Sequence, residues 1–302
     1  MVRLVNYSYR LSGGRVVLCG FTRARQAPSG QYVRVSDPVT LTVTSPDGTA
    51  LDVRLAGTGP TVVLVHGTGA TKQAWAAVEP LLAEQFTVWS YDRRGRAASS
   101  DVEPYSFKAE VADLVAVVTG AGSRVHLVGH SFGACCAIEA ARELPDLATL
   151  VLYEAPFFNE RRRPAIDEAG KLFADARDDE AVRVVLGDIA GVSSEELAFL
   201  SSVPEIWDLV LGTSPTMHRE LEALAALQWS PTRYAAVQTP TLYLTGALSD
   251  APVYATADEV QAALPNVDAR VLQGQRHLAM ATDPTALAST IVDFIRHQAE
   301  QP

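Results

Sequence analysis

Cysteine is scarce in this chain: three residues in 302, two of them adjacent at Cys135 and Cys136, which reads neither as a disulfide framework nor as a metal site. Histidine and cysteine do not fall at zinc-ligand spacing, and no phosphate-cradling glycine loop precedes the first parallel helix, so neither metal nor nucleotide cofactor is expected. Long apolar runs are missing too, since none approaches the roughly 20 residues that a membrane-spanning helix needs. The best stretch for a secretory core, Val16 to Phe21, is too short and contains Gly20, so a cytoplasmic protein without a membrane role is the expectation. Positive charge is in deficit: a net charge of −10 argues against nucleic acid as a partner, because a phosphate backbone demands a concentrated basic surface. What remains is a small-molecule substrate. Oligomeric state leaves no readable trace.

The composition that is present, 48% hydrophobic and 20% charged, is that of an ordinary globular protein long enough for one or two domains. Residues 1–36 stand apart, with six arginines and no acidic residue. Mixed Arg, Ser, Gly and aromatic residues make 1–37 an extension without regular structure.

From Val39 the pattern becomes regular. Val39 to Val43 and Ala50 to Leu55 alternate around a turn and read as a hairpin. Val62 to Val65 is a continuous apolar run bounded by Pro60 and Gly67, as in a strand buried on both faces. Further strands are expected at Phe86 to Ser90, Val125 to Val128, Leu150 to Tyr153, Thr241 to Thr245 and Ala269 to Leu272. Helical patterning lies between them at Lys72 to Glu84, Phe107 to Val118, Phe132 to Glu143, Thr256 to Leu264 and Pro284 to His297. Eight strands alternating with crossover helices predict an α/β fold, a doubly wound and mostly parallel sheet. From Pro156 to Pro240 the pattern is helical without a convincing strand. The expected organisation is therefore a core of 38–155 and 236–302 with a helical cap of 156–235.

The sharpest chemical signal is Gly129-His130-Ser131-Phe132-Gly133, between a strand and a helix. A serine on such a tight turn is held in a strained backbone conformation, and its hydroxyl projects beside the positive end of a helix. That end and its free N–H groups favour the oxyanion formed when serine attacks a carbonyl. Serine needs a base for this, and histidine has a suitable pKa, about 6.5 when unperturbed. Six histidines compete for the role.

These residues resemble the α/β-hydrolase superfamily, in its serine esterase and cofactor-free haloperoxidase-like branch, from about Val39 to the C-terminus. His66-Gly67-Thr68-Gly69 looks like the family's oxyanion loop, which implies that the backbone N–H groups of Thr68 and Phe132 hold the oxyanion. Asp92-Arg93-Arg94-Gly95 is similar to a segment with a structural role there. The resemblance makes His277, just after the last strand, the base; His66 supports the oxyanion loop, while His126, His218 and His297 read as packing or surface residues.

The acid that orients His277 has two candidates. Family members often carry an aspartate after the strand Thr241 to Thr245, but here Ser249 holds that register and Asp250 follows it. Glu154 lies at the end of the strand Leu150 to Tyr153, where some haloalkane dehalogenases place their acid. A carboxylate there is expensive to bury unless hydrogen-bonded or paired.

In the cap, Phe157, Phe158, Trp207, Met217 and Trp229 offer either pocket linings or simple core. Arg161, Arg162 and Arg163 offer either a solvated turn or a grip on an anionic group. The resemblance implies a serine hydrolase that cleaves a small or medium ester, lactone or related acyl compound through an acyl-serine. An acyltransferase, cyclase or C–C bond-cleaving enzyme on the same triad is a second expectation, and a non-catalytic small-molecule binding protein a third.

Overall fold

The computed structural model describes residues 5–11, 14–20, 35–156, 162–227 and 230–300. The strands are β1 (Val5–Leu11), β2 (Gly14–Gly20), β3 (Val35–Thr44), β4 (Ala50–Gly57), β5 (Thr61–Val65), β6 (Thr87–Tyr91), β7 (His126–His130), β8 (Thr149–Tyr153), β9 (Thr241–Gly246) and β10 (Val267–Leu272). They form one sheet in the order β1-β2-β3-β4-β6-β5-β7-β8-β9-β10. From β6 to β10 neighbouring strands are parallel, and β1 to β4 run antiparallel at the other edge. The eight expected strands are β3 to β10.

Two corrections follow. Residues 5–11 and 14–20, read as irregular, form a hairpin that joins β3 at Val17 and Thr42. The signal lay in the alternation of Val5, Tyr7, Tyr9 and Leu11 with polar residues, which fits a strand period of two. The single helix expected over Lys72 to Glu84 is instead a 3₁₀ turn, Lys72–Trp75, followed by a short helix, Glu79–Ala83. Pro80 explains the break: it lacks the N–H of an interior helical residue, and its ring clashes with the carbonyl four residues back, so it fits only a first turn.

Double winding is visible in the side chains. Val63, Val65, Leu127, Leu150 and Leu152 pack on one face under helices Phe107–Ala121 and Phe132–Ala141. Val62, Leu64, Val128, Val151 and Leu244 pack on the other, under helix Pro284–Ala299 and the side chains of Trp75 and Leu82. This two-sided burial is why the central strands are apolar throughout rather than alternating.

The cap segment runs from helix Arg163–Ala174 to helix Pro231–Tyr234 and has a core of its own, including Ile166, Val182, Leu186, Trp207, Met217 and Leu221. Trp207 and Met217 are thus core residues of the cap, whereas Phe157, Phe158 and Trp229 lie outside the described residues. Among the described residues no helix is long and apolar enough to cross a membrane.

Register sets the site. Val65 pairs with Gly129, Gly129 with Leu152 and Leu152 with Tyr243, so the chains that leave β5, β7 and β8 emerge at one level of the sheet's carboxyl rim. Gly67, Ser131 and Glu154 each follow that row by two residues.

Candidate active site

Ser131 sits between β7 and helix Phe132–Ala141 with φ +53° and ψ −125°, a backbone conformation that costs a non-glycine residue about 1–3 kcal/mol. Its own N–H donates to the Tyr153 carbonyl at 2.9 Å, and its carbonyl accepts from the Ala134 N–H at 2.8 Å. The flanking glycines are required by contact. A Cβ on Gly129 would lie 2.6 Å from the Ala134 Cα, and one on Gly133 would lie 2.6 Å from the carbonyl oxygens of Val65 and His66. Only hydrogen at these positions lets the elbow close on the sheet.

The loop after β5 rests on the same turn, for a Cβ on Gly67 would approach the Ser131 Cβ to 2.9 Å. His66 is fully buried, its Nδ1 2.9 Å from the Gly67 carbonyl oxygen and its Nε2 accepting from the Arg93 N–H at 3.1 Å. Those partners assign the proton to Nδ1, and burial with the nearby Arg93 charge holds the imidazole neutral, well below its ordinary pKa. Thr68 follows, with its hydroxyl donating to Glu220 of the cap at 2.9 Å. Phe132 is the first residue of its helix, where a backbone N–H has no partner within the helix.

Across the rim, Glu154 leaves β8 with φ +48° and places Oε2 2.7 Å from Nδ1 of His277. Its other oxygen, Oε1, accepts from the Gly246 N–H at 2.7 Å and from the Ser249 hydroxyl at 2.6 Å. Burial by itself would raise this carboxyl; the hydrogen bond and charge of His277, then Ser249 and Gly246, bring it below the usual glutamate range. Tyr153 holds the loop bearing His277 by donating its hydroxyl to the Arg276 carbonyl and accepting from the Ala279 N–H at 3.3 Å. His130 adds a second hold, with Nε2 2.9 Å from the His277 carbonyl oxygen and ring centroids 4.5 Å apart. Among the described residues no hydrogen bond joins Ser131 to His277. Asp250 borders the same cavity as His277 but makes no hydrogen bond or ion pair with it: it is exposed, occupies the N-cap of helix Ala251–Ala263, and makes no side-chain capping bond.

The rim thus sets a serine at a strained strand-to-helix turn beside the loop after β5 and a carboxylate–imidazole pair. Residues 62–290 match the Alpha/beta hydrolase family. The chain belongs to that family.

The hydrolase is similar over 84% of its length to an alpha/beta hydrolase from Sphaerobacter thermophilus, at 30% identity and a TM-score of 0.75, covering 99% of that chain. An esterase from a Rhodococcus species shares the fold, with a TM-score of 0.69 at 22% identity over 85% of this chain and 98% of the other. N-formylmaleamate deformylase from Pseudomonas putida is 36% identical over 116 residues, which are 37% of this chain and 43% of that protein.

On the oxyanion side of the hydrolase's site, four buried charges lock the cap to the core. Arg93 donates to Glu110 at 2.9 Å, to Glu220 at 2.9 Å and to the Gly67 carbonyl at 3.1 Å; Arg96 also pairs with Glu220. The Arg93 guanidinium lies 4.5 Å from the centroid of the Phe132 ring, so one side chain touches both the loop after β5 and the start of the helix after Ser131. Several polar atoms of the group, including Nε and Nη1 of Arg96, have no partner among the described residues. On the opposite side a cavity of about 180 Å³ is bordered by His277, Glu154, Ser249, Arg162 and the cap residues 187–191.

Sequence reading missed three contributors. Ser249 was noted only as a departure from an aspartate register, yet its hydroxyl serves Glu154. Tyr153 stood in the quoted strand end without a role. Glu220 had no local signal at all, because its partners lie 124–152 residues away in the chain.

Proposed function

We propose that this hydrolase cleaves a small or medium carboxylic ester, lactone or related acyl compound through an acyl-enzyme on Ser131, with His277 as base and Glu154 as the orienting acid. The observation that carries the reading is the 2.7 Å contact between Glu154 Oε2 and His277 Nδ1. With Nδ1–H donated to the carboxylate, Nε2 is the nitrogen left to take the Ser131 proton. The Gly246 N–H and the Ser249 hydroxyl both donate to the other oxygen of Glu154, so the acid is positioned without help from substrate.

In the proposed reaction the Ser131 hydroxyl attacks the acyl carbon while His277 takes its proton, and the Thr68 and Phe132 N–H groups receive the oxyanion. His277 then returns the proton to the leaving group, and water repeats the sequence on the acyl-serine. The Ser131–His277 hydrogen bond forms in this scheme as substrate binds, in keeping with catalytic contacts that tighten only in the Michaelis complex. Likeness to N-formylmaleamate deformylase brings small acyl amides into the same substrate class.

The test is labelling by a fluorophosphonate together with hydrolysis of aryl and alkyl esters of graded chain length. Wild-type protein is expected to be labelled at Ser131 and to turn over the short esters, and Ser131→Ala to do neither. Label on another residue, or a Ser131→Ala variant as active as wild type, would refute the assignment.

A further inference from the structure

Three buried arginines of the core have carboxylate partners: Arg93 with Glu110 and Glu220, Arg94 with Asp113 and Asp47, and Arg96 with Glu220. Arg162 differs from all of them. It borders the cavity beside His277 and Glu154 and makes no ion pair or hydrogen bond among the described residues. Its neighbour Arg163 turns outward to Asp167 and Glu222, so of the two described arginines of the run only Arg162 faces the site.

Arg162 is half-buried, and its guanidinium carries five N–H donors, so shielding it in part from water without a partner has a cost. Burial lowers the Arg162 pKa from its ordinary value, and the groups near enough to act on it are Cys135, Tyr243 and Glu154. The first two are neutral at ordinary pH, since burial raises both the thiol and the phenol. Glu154 is committed to His277, Ser249 and Gly246. Asp188 and Asp250, the other carboxylates of the lining, are exposed, and neither forms an ion pair with Arg162. The cap wall over this cavity contains a π-helical turn, Val185–Ile189, an irregularity frequent at functional sites. At position 187 a side chain would meet nothing within 4 Å, so the wall leaves room.

We propose that Arg162 holds a carboxylate carried by the substrate, making the preferred acyl compound an anionic one, such as the half-ester of a short dicarboxylic acid. A planar carboxylate matches the guanidinium fork, and two parallel charge-assisted hydrogen bonds supply the missing partner. The volume sets the length: about 180 Å³ is little more than the ~150 Å³ cavity that accepts benzene, so the charged arm is a few carbons long. This assignment rests on the reading of Ser131 and His277 as the reacting pair, because the cavity borders His277.

The test compares monomethyl succinate with methyl butyrate, its near-isostere without the charge, by proton release at constant pH. Wild type is expected to prefer the half-ester. Arg162→Gln should lower the ratio of kcat/KM for the two esters by about 30-fold, the worth of a charged hydrogen bond, chiefly through KM. Arg162→Lys should recover part of the ratio, and Arg163→Gln should leave it unchanged. An Arg162→Gln variant that loses both esters equally, or a wild type indifferent to the charge, would overturn the proposal. A binding arm separates this from the catalytic reading: calorimetry of monomethyl succinate with Ser131→Ala should detect binding that Ser131→Ala/Arg162→Gln lacks. If Ser131→Ala hydrolyses normally but that difference persists, the serine assignment fails while the anion site stands; if it is absent, the anion site fails.

Discussion

On the Thr68 side of Ser131 charges are buried in pairs, whereas on the side of His277 Arg162 borders a cavity without an ion pair, with the exposed Asp188 and Asp250 also in its lining. Arg93, Arg96, Glu110 and Glu220 are fully shielded and tie Thr68, Gly67 and the cap helix Ser214–Ala225 into one block. Around His277 the carboxylate and imidazole are fixed to each other, and the Tyr153 hydroxyl holds the loop backbone at Arg276 and Ala279, but the space beyond them is open. The closed side has its dipoles set before substrate arrives, which is what electrostatic stabilisation of an oxyanion requires. The open side leaves the final solvation of its charge to the molecule that enters. Rigidity and selectivity are thus built on different sides of one serine.

The comparison breaks most severely if the fixed part of the open side is removed. Glu154→Gln should lower kcat by about 10⁴-fold, as amide replacement of a triad acid does where the imidazole is turned to the wrong tautomer. Asp250→Asn should change kcat by less than about threefold, because an exposed N-cap side chain that makes no bond to His277 has no part in orienting it. Steady-state kinetics on a short ester checks both. A loss that follows Asp250 instead would show that the loop after β9 rearranges to supply the acid.

Next in size is the lock on the closed side. Glu220→Ala leaves Arg93 with one carboxylate and Arg96 with none, and uncompensating a buried charge costs about 3–5 kcal/mol. Urea unfolding should register that loss. Glu220→Gln keeps the shape and an acceptor for Thr68, and should lower kcat more than it raises KM if the carboxylate steadies the oxyanion loop. Equal stability of Glu220→Ala and wild type would mean that the cap and core are not held together by this residue.

Buried imidazoles on both sides also predict a pH dependence. His66 and His130 are buried with pKa values well below 6.5, the first by burial and the Arg93 charge, the second by burial and the nearby His277. Below pH 6.5 the unfolded chain gains protons at these positions and the folded chain does not. Stability is therefore full above that pH and falls as acid is added, until the folded pKa values are reached. Glu110 acts the other way: burial pushes its carboxyl up to about 7, so the folded chain takes up a proton there over the same interval and offsets part of the loss. Urea midpoints at pH 7.5 and 5.5 measure the drop, and His66→Asn, which cannot titrate, should lessen it.

What was legible in the sequence follows the range of the forces involved. Gly129 and Gly133 are forced by contacts with their own turn and the neighbouring strand, so a five-residue pattern carried the information. His277 was singled out by the family resemblance, and hydrophobic periodicity supplied only the end of the last strand, from which its place was counted. The choice between Glu154 and Asp250 was not legible, since it depends on a positive φ at one loop and on what stands in the loop beside it. Glu220 was invisible for a stronger reason: a helix carries many glutamates on its surface, and only the fold reveals which of them turns inward to meet two arginines.

Ser249 gives the smallest and most discriminating test. It occupies the register where family members often carry an aspartate, and here its hydroxyl donates to the Glu154 carboxylate at 2.6 Å. Ser249→Ala removes one of three donors and leaves those of Gly246 and His277, so the acid stays ionised and close to its place. A hydrogen bond to a charged acceptor is worth about 1.5–3 kcal/mol, and shared support from the remaining donors puts the loss toward the low end, roughly tenfold in kcat. Ser249→Asp is the sharper variant, because it sets a second carboxylate beside Glu154. Two carboxylates in that space cannot both stay charged without cost, so the pair should hold a proton and the pH–rate profile should shift its acidic limb upward. An unchanged profile in Ser249→Asp would mean that the new carboxylate points into the cavity instead, where it would meet Arg162 and abolish the preference for anionic esters.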